Sequence, residues 1–173
     1  MEIKNSTPKI GRLETNRLLL RHVSIDDADQ IQKILTKRVC ESIPEISYPV
    51  NVINMINEKL QAEYMAHVIF LKKINEIIGF IQMSIGSINS ENDYVIEVGY
   101  WIGEDYWDNG YCSEVLKIIT NIIEANNWTQ KVIALVYDGN KSSEKVLLKS
   151  GFVNPKNRIT TKCGEANLFV YES

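Results

Sequence analysis

Apolar residues recur along the chain at the two spacings that distinguish strands from helices. Runs rich in β-branched and aromatic residues predict strands at 15–23, 67–73, 77–85, 94–102 and 131–137, with two weaker ones near 158–162 and 167–171. The run KVIALVY, at 131–137, is apolar along most of its length, so we expect it inside a sheet with neighbours on both sides.

Helical spacing predicts four helices, which begin after Ser24, span 51–66, begin after Gly110 and span 142–150. Ser24 is a good N-cap with Asp27 three residues later, Asn51 is a possible cap of the second helix, and Gly151 suits the end of the fourth. The resulting order is β-α-α-β-β-β-α-β-α-β-β. Three consecutive strands followed by strand-helix alternation predict an α+β, or mixed α/β, fold, and the 173 residues predict a single domain over 1–173.

Composition narrows the classes of function. With 45% hydrophobic and 24% charged residues, the chain has the balance of an ordinary soluble globular protein. A net charge of -3 without a local basic patch argues against binding nucleic acid. No run approaches the roughly 20 apolar residues of a membrane span. We therefore expect a cytoplasmic protein that contacts neither nucleic acid nor membrane.

The cysteines give no sign of a disulfide framework or a metal site. Cys40, Cys112 and Cys163 are odd in number and far apart, and with His22 and His67 they do not form zinc-ligand spacing. We expect reduced thiols and no bound metal.

The loop Trp107-Asp108-Asn109-Gly110 connects a predicted strand to a helix. Helix amino ends carry unpaired N–H groups and partial positive charge, which suits phosphate, and Gly110 lets the backbone approach it closely. The Gly-Lys-Ser/Thr of a nucleotide triphosphatase loop and the Gly-x-Gly-x-x-Gly of a dinucleotide fold are both absent. A second strand-to-helix transition follows 131–137, where Asn140 and Ser143 stand at the helix start. Two such transitions from neighbouring strands place both helix ends at one sheet edge, where ligands bind.

The segments EVGYWIGEDYWDNGYCSEVL and NKSSEKVLLKSGF resemble the GNAT acetyltransferase superfamily, and most of all its RimJ/RimL-like branch of ribosomal-protein N-terminal acetyltransferases. That branch reads Gly-Tyr-Trp, then Trp-Gly-x-Gly-Tyr-Ala-(Thr/Ser)-Glu-Ala, then Asn-x-x-Ser and Lys-x-Gly-Phe. LETNRLLLR near the start also resembles the branch's L-x-T-x-R-L-x-L-R, so the resemblance spans most of the chain. The later motifs match at Gly99, Tyr100, Trp101, Trp107, Gly110, Tyr111, Ser113, Glu114, Asn140, Ser143, Lys149, Gly151 and Phe152.

Two positions in the loop depart from the branch's pattern. Asp108 stands where the branch has Gly, and Cys112 stands where it has Ala or Gly. A carboxylate beside a pyrophosphate weakens binding unless its side chain points to solvent. We keep the loop as a coenzyme A site because the expected contacts are backbone N–H groups.

The resemblance implies acetyl transfer from acetyl-CoA to an amine by direct attack. It implies a twisted, mostly antiparallel central sheet, flanked by helices and splayed between 94–102 and 131–137, with Gly99 as a bulge residue. A backbone N–H of the first of these strands would stabilise the oxyanion. The implied coenzyme-binding residues are Val98, Gly99, Tyr100, Trp101, Ile102, Trp107, Asp108, Asn109, Gly110, Tyr111, Cys112, Ser113, Asn140 and Ser143.

Glu97 and Ser143 are the expected catalytic residues. Glu97 lies among apolar strand residues, which raises the pKa of a carboxyl and suits a general base. The alternative is a solvent-facing residue or a structural ion pair. The tyrosine with which relatives protonate the leaving thiolate is absent, because Leu147 occupies its position, and Ser143 is expected to substitute.

The acceptor is predicted from amine chemistry. A protein α-amine, with a pKa of about 7.7–8.0, is substantially neutral at cell pH, whereas lysine near 10.4 is only about 0.1% neutral. A weak base therefore favours a protein or peptide N-terminal α-amine, acetylated by a monomer or homodimer. A small-molecule amine, such as a polyamine or aminoglycoside, stays open as the acceptor. A non-catalytic acyl-CoA-binding module also stays open, and Asp108 and Leu147 favour it.

Overall fold

One sheet with helices on both faces organises the chain. The structure, a computed structural model, describes residues 10–61, 65–87, 94–125 and 131–171. Within these ranges the strands are β1 (Leu13–Glu14), β2 (Leu18–His22), β3 (Met65–Leu71), β4 (Glu76–Ser87), β5 (Tyr94–Ile102), β6 (Lys131–Tyr137), β7 (Arg158–Thr161) and β8 (Gly164–Tyr171). The helices are α1 (Ala28–Ile34), α2 (Lys37–Cys40), α3 (Val52–Gln61), α4 (Tyr111–Ala125) and α5 (Lys141–Lys149). The sheet order is β1-β2-β3-β4-β5-β6-β8-β7.

Alternation along the strands gives the sheet two apolar faces. One face packs against α4 and α5 and includes Ile96 and Val98 of β5. The opposite face packs against α1, α2 and α3 and includes Trp101, which stacks on Phe80 with ring centroids 6.0 Å apart. Consecutive side chains of β5 therefore point into different layers of the molecule.

All described strand pairs are antiparallel except β5 with β6. This parallel pair is short: Val95, Ile96 and Glu97 lie opposite Lys131, Val132 and Ile133, and the pairing then stops although both strands continue. The predicted splay between these strands is confirmed, as is the mostly antiparallel α+β sheet.

Most predicted elements are confirmed, with differences at their ends. β5 and β6 have the predicted bounds, and β6 lies between β5 and β8 as expected. The second predicted helix was too long, because α3 ends at Gln61 and Met65 already belongs to β3. The short elements β1 and α2 were not predicted.

The predicted caps lie at the expected residues. Ser24 and Asp27 form a capping box on a single 3-10 turn that precedes α1, and Asn51 Oδ1 accepts a hydrogen bond from the Asn54 N–H at 3.0 Å. Gly151 adopts φ +90° after α5, where the Phe152 N–H donates to the Leu147 carbonyl at 3.1 Å.

The expected bulge at Gly99 is wrong. The register between β4 and β5 runs without a break from the pair Gly79/Ile102 to the pair Ser87/Tyr94. β5 parts from β6 because their pairing ends after Glu97, and no extra residue is needed to separate them.

Among the described residues, none of the helices has the length and apolar character needed to cross a membrane.

Candidate active site

The gap between β5 and β6 exposes main-chain groups of β5. The Gly103 N–H donates to the Ile78 carbonyl of β4 at 2.8 Å. Hydrogen-bonding direction alternates along an antiparallel strand, so Gly99 and Trp101 also turn their amides towards β4. The amides and carbonyls of Val98 and Tyr100 therefore face β6, beyond the point where the pairing with β6 has ended. They form an open strand edge inside the protein.

Two helix amino ends lie where β5 and β6 end, as predicted. In α4 the first intrahelical bond runs from the Glu114 N–H to the Gly110 carbonyl at 3.1 Å. The amides of Tyr111, Cys112 and Ser113 precede this bond and have no acceptor within the helix. They are available to an anion.

The loop before α4 contains two residues with left-handed backbone. Asp108 has φ +59° and Gly110 has φ +75°. Left-handed backbone is the conformation that Gly adopts most readily and that Asp tolerates better than most residues. The Asp108 side chain is exposed. The departure from Gly at position 108 therefore adds a solvent-facing carboxylate to a backbone that a glycine would also fit.

Arg17 fastens this loop from the turn before β2. Its Nη1 donates to the Asn109 carbonyl at 3.0 Å, its Nε donates to Glu114 Oε2 at 2.7 Å, and its guanidinium lies 4.6 Å from the centre of the Tyr111 ring. Thr15 Oγ1 donates to Glu114 Oε1. Burial alone would raise the pKa of Glu114, but the hydrogen bonds from Thr15 and Arg17 lower it. An acid in the first turn of α4 is thus neutralised from outside the helix.

No role was predicted for Thr15 and Arg17, although both lie in the segment LETNRLLLR that resembles L-x-T-x-R-L-x-L-R. The motif marked the residues, but the sequence alone did not show that they reach a helix more than 90 positions away.

Asn140 and Ser143 lie at the amino end of α5. Asn140 Oδ1 accepts the Ser143 N–H at 3.1 Å, and Asn140 Nδ2 donates to the Ser42 carbonyl at 3.4 Å. Ser143 Oγ lies 3.0 Å from the hydroxyl of Tyr100, whose pKa is raised by burial. These contacts bring the predicted residues Tyr100, Asn140 and Ser143 together at the gap. Leu147, one turn further along α5, is fully buried in the core.

Glu97 lies on the opposite face of β5 from Tyr100 and is half-buried. Burial raises the pKa of its carboxyl, the charge of Glu45 raises it further, and the charge of Lys59 lowers it. A carboxylate with a raised pKa is a better proton acceptor near neutral pH than an ordinary glutamate. Its position at the last paired residue of β5 places it at the closed end of the gap, where β5 and β6 are still joined.

The segment 41–51 between α2 and α3 reaches across to the end of β6. The Tyr137 hydroxyl donates to Glu45 Oε1 at 2.6 Å and lies 3.0 Å from Thr161 Oγ1. Burial, followed by the hydrogen bond to Glu45, raises the pKa of Tyr137 to about 12. These three residues were missed, because 92 positions separate Glu45 from Tyr137 and nothing in the local sequence relates them.

The remaining predicted residues lie in several environments. Trp107 donates its indole N–H to the Ile102 carbonyl at 2.7 Å, which fixes the start of the loop. Trp101 is buried on the face opposite α4 and α5. Burial raises the pKa of the Cys112 thiol to about 12, so it is protonated and unsuited to act as a nucleophile. The described residues contain no group of three or more histidine, cysteine or acidic side chains that could hold a metal ion.

Sequence comparison with known proteins finds a family profile and individual relatives that match most of the chain. The profile of the acetyltransferase (GNAT) domain family matches residues 17–153. The uncharacterized N-acetyltransferase YoaA of Bacillus subtilis is 25% identical over 150 residues, which cover 81% of each chain. Because the profile match covers well over half of the chain, it establishes the family.

Solved structures with the same fold include enzymes with different acceptors. The ribosomal-protein-S5-alanine acetyltransferase of Vibrio fischeri has a TM-score of 0.71 at 18% identity, covering 92% of this chain and 95% of its own. An aminoglycoside acetyltransferase in complex with coenzyme A and kanamycin also has a TM-score of 0.71, at 15% identity, covering 89% and 94%. At these identities the likeness shows the fold alone.

Proposed function

The chain belongs to the GNAT acetyltransferase family, and on that premise we propose that it transfers the acetyl group of acetyl-CoA to a primary amine by direct attack, with a protein or peptide N-terminal α-amine as the acceptor. The observation that carries the proposal is the open edge of β5 at Val98 and Tyr100, which lies between the amino ends of α4 and α5. A thioester held along this edge has helix ends on one side and Glu97 on the other.

The coenzyme's groups match the groups offered by the protein. The free amides of Tyr111, Cys112 and Ser113 suit the pyrophosphate, which is stabilised by the helix dipole and hydrogen bonds from N–H groups. The amide groups of the pantetheine arm suit the main chain of Val98 and Tyr100, which lacks a strand partner there. An amide of this edge that meets the thioester oxygen would stabilise the oxyanion of the tetrahedral intermediate.

Glu97 supplies the base in this proposal. The amine nitrogen attacks the thioester carbon, the carbon–sulfur bond breaks, and the proton lost by the amine goes to Glu97 directly or through water. The raised pKa of the Cys112 thiol favours this direct route over an acyl-enzyme intermediate, because a protonated thiol does not attack. Ser143 lies by the gap and is the proposed donor to the departing sulfur.

The acceptor follows from the strength of the base. A general base typically accelerates a reaction by roughly 10²–10⁴-fold. An α-amine with a pKa of about 7.7–8.0 needs less of it than a lysine near 10.4. A single half-buried carboxylate therefore suits the α-amine better.

A small-molecule amine is the second candidate, and Glu45 favours it. Glu45 contributes to the raised pKa of Glu97, so two carboxylates lie near each other beside the gap, with the charge of Lys59 also close to Glu97. A second positive charge on a polyamine or aminoglycoside would be attracted to this pair. A non-catalytic acyl-CoA-binding module is the third candidate, because Asp108 keeps an exposed carboxylate in the loop and Leu147, buried in the core, stands where relatives have the tyrosine acid.

Thiol release from acetyl-CoA tests the proposal with a matched set of acceptors. We expect the fastest turnover with a lysine-free peptide bearing a free N-terminus. The controls are the same peptide blocked at its N-terminus and carrying one lysine, then spermidine, then kanamycin. Faster turnover of spermidine or kanamycin would replace the proposed acceptor with the small-molecule one. If none of the four releases thiol, the proposed transfer to a primary amine is wrong.

A further inference from the structure

We propose that Tyr100 is a positioning residue for the leaving thiol, because its hydroxyl, 3.0 Å from Ser143 Oγ, turns the Ser143 proton towards the gap. The inference rests on the proposed function, and it adds a residue on β5 to a step otherwise assigned to α5 alone. Tyr100 acts through Ser143 and keeps its own proton throughout.

The 3.0 Å contact allows either hydroxyl to donate, and we assign the direction from the chemistry of the two groups. A phenol is a stronger acid than an aliphatic alcohol and is the better donor of the two. Burial raises the pKa of Tyr100, which keeps the phenol protonated. In the proposed arrangement Tyr100 donates and Ser143 Oγ accepts across their 3.0 Å separation, so the Ser143 proton is free to point elsewhere.

Ser143 is also held in place from its main chain. Its N–H donates to Asn140 Oδ1 at 3.1 Å, which fixes the first turn of α5. With the amide and one lone pair of the hydroxyl engaged, few orientations of the O–H remain. A hydroxyl that accepts one hydrogen bond becomes a stronger donor in the next, so Tyr100 both aims and strengthens Ser143.

Release of the thiol accounts for every proton and electron pair. When the tetrahedral intermediate collapses, the carbon–sulfur bond breaks and its electron pair stays on sulfur. The thiolate accepts a hydrogen bond from Ser143 Oγ–H. The proton that the amine gave to Glu97 returns to the sulfur through solvent, so amine and thioester become amide and thiol. Neither Ser143 nor Tyr100 changes its net protonation.

The most direct test measures the pKa of the thiol of bound coenzyme A, and this measurement requires no turnover. The ultraviolet absorbance of the thiolate is followed against pH in the wild-type complex and in Tyr100→Phe, Ser143→Ala and the double variant. We expect the pKa of the bound thiol to be about 0.5–1 pKa unit higher in Tyr100→Phe than in wild type, because the substitution weakens one hydrogen bond to the thiolate. The double variant is expected to match Ser143→Ala.

Steady-state kinetics give the second readout. Tyr100→Phe is expected to lower kcat roughly 3- to 10-fold with the KM for acetyl-CoA unchanged, the effect of about one weakened hydrogen bond in the transition state. In the Ser143→Ala background the same change should alter kcat less than about twofold, because coupled residues are not additive. Tyr171→Phe is the matched control, since its hydroxyl bonds Glu124 away from the gap.

Three results would overturn the inference. They are an unchanged thiol pKa in Tyr100→Phe, an equal loss of kcat in both backgrounds, and a rise in the KM for acetyl-CoA with kcat unchanged. The two proposals can fail separately. If Tyr100→Phe raises the pKa of the bound thiol but the wild-type protein acetylates no amine, the proposed function is overturned and the contact of Tyr100 and Ser143 with the thiol stands.

Discussion

Arg17 Nε lies 2.7 Å from Glu114 Oε2, and this contact joins the turn before β2 to the first turn of α4. The same guanidinium holds the Asn109 carbonyl at 3.0 Å, so one side chain fixes both the loop and the helix that follows it. The amides of α4 that are proposed to bind the pyrophosphate are thereby oriented by a residue that does not belong to the loop.

Arg17→Met is expected to weaken binding of coenzyme A roughly tenfold, because the loop loses its anchor and Glu114 regains an unpaired negative charge near the phosphates. Calorimetric titration measures the change. Arg12→Met is the control, since Arg12 pairs with Glu14 at an exposed site outside the loop. Equal affinity in wild type and Arg17→Met would contradict an anchoring role.

The pair also predicts a dependence of stability on pH. The pKa of Glu114 is lowered in the folded protein, so its contribution is present above its ordinary value of 4.5 and is lost as pH falls through the folded value. Arg17 is 46% and Glu114 20% exposed, so screening limits the pair to about 1 kcal/mol. Thermal denaturation between pH 3 and 7 should show a shallower acid loss in Arg17→Met than in wild type.

Asp108→Gly and Asp108→Asn are expected to tighten binding of coenzyme A by roughly three- to tenfold, since both remove a carboxylate beside the proposed pyrophosphate site. Gly also suits the left-handed backbone, but its greater freedom in the unfolded chain offsets this, and stability should change by less than about 1 kcal/mol. Titration at low and high salt checks the electrostatic origin. Asp105→Asn, the same charge change before the loop, is the control, and an equal gain there would assign the effect to net charge.

Glu97→Gln is expected to lower kcat roughly 10²-fold or more with little change in the KM for acetyl-CoA, because a base is lost. In wild type, activity should fall as pH drops through the raised pKa of Glu97, and this fall should begin at a higher pH than for an ordinary glutamate.

The same substitution should raise thermal stability at neutral pH. The folded protein binds a proton at Glu97 more readily than the unfolded chain does, so stability decreases as pH rises from 4.5 through the raised folded pKa. A neutral glutamine avoids that cost. Glu165→Gln, at an exposed strand carboxylate, is the control. A Glu97→Gln protein that melts no higher than wild type at pH 7 would argue that burial of the carboxylate costs nothing.

Leu147→Tyr is expected to destabilise the protein by about 1–3 kcal/mol without increasing kcat, because Leu147 is fully buried and an added ring overpacks the core. Chemical denaturation and thiol-release kinetics measure the two effects. Leu148→Tyr, on the exposed side of the same helix, should be nearly neutral in stability. A faster Leu147→Tyr enzyme would show that this position reaches the departing sulfur.

Elements with a long, consistent pattern could be predicted from the sequence. β5 and β6 were predicted with their observed bounds because each is a continuous run of strand-forming residues, and α4 was predicted because its apolar residues recur at helical spacing. α2 was missed because a helix of four residues is too short to show a period. The end of α3 was overrun because Met65 and Ala66 extend its apolar pattern although they belong to β3.

The candidate site was predictable where it is local in sequence. The loop with Gly110 and the residues Asn140 and Ser143 follow directly from strand-to-helix transitions. The contacts of Arg17 with Glu114 and of Glu45 with Tyr137 join residues 97 and 92 positions apart. Such pairs depend on the order of strands in the sheet, which a single sequence does not reveal.

The three-residue seam between β5 and β6 divides the sheet into a five-stranded and a three-stranded part. A pantetheine arm in the gap would act as an extra, non-protein strand that supplies the missing rungs. Binding of the coenzyme would then hold the two parts of the sheet together. The force needed to separate them should be greatest when the coenzyme is bound.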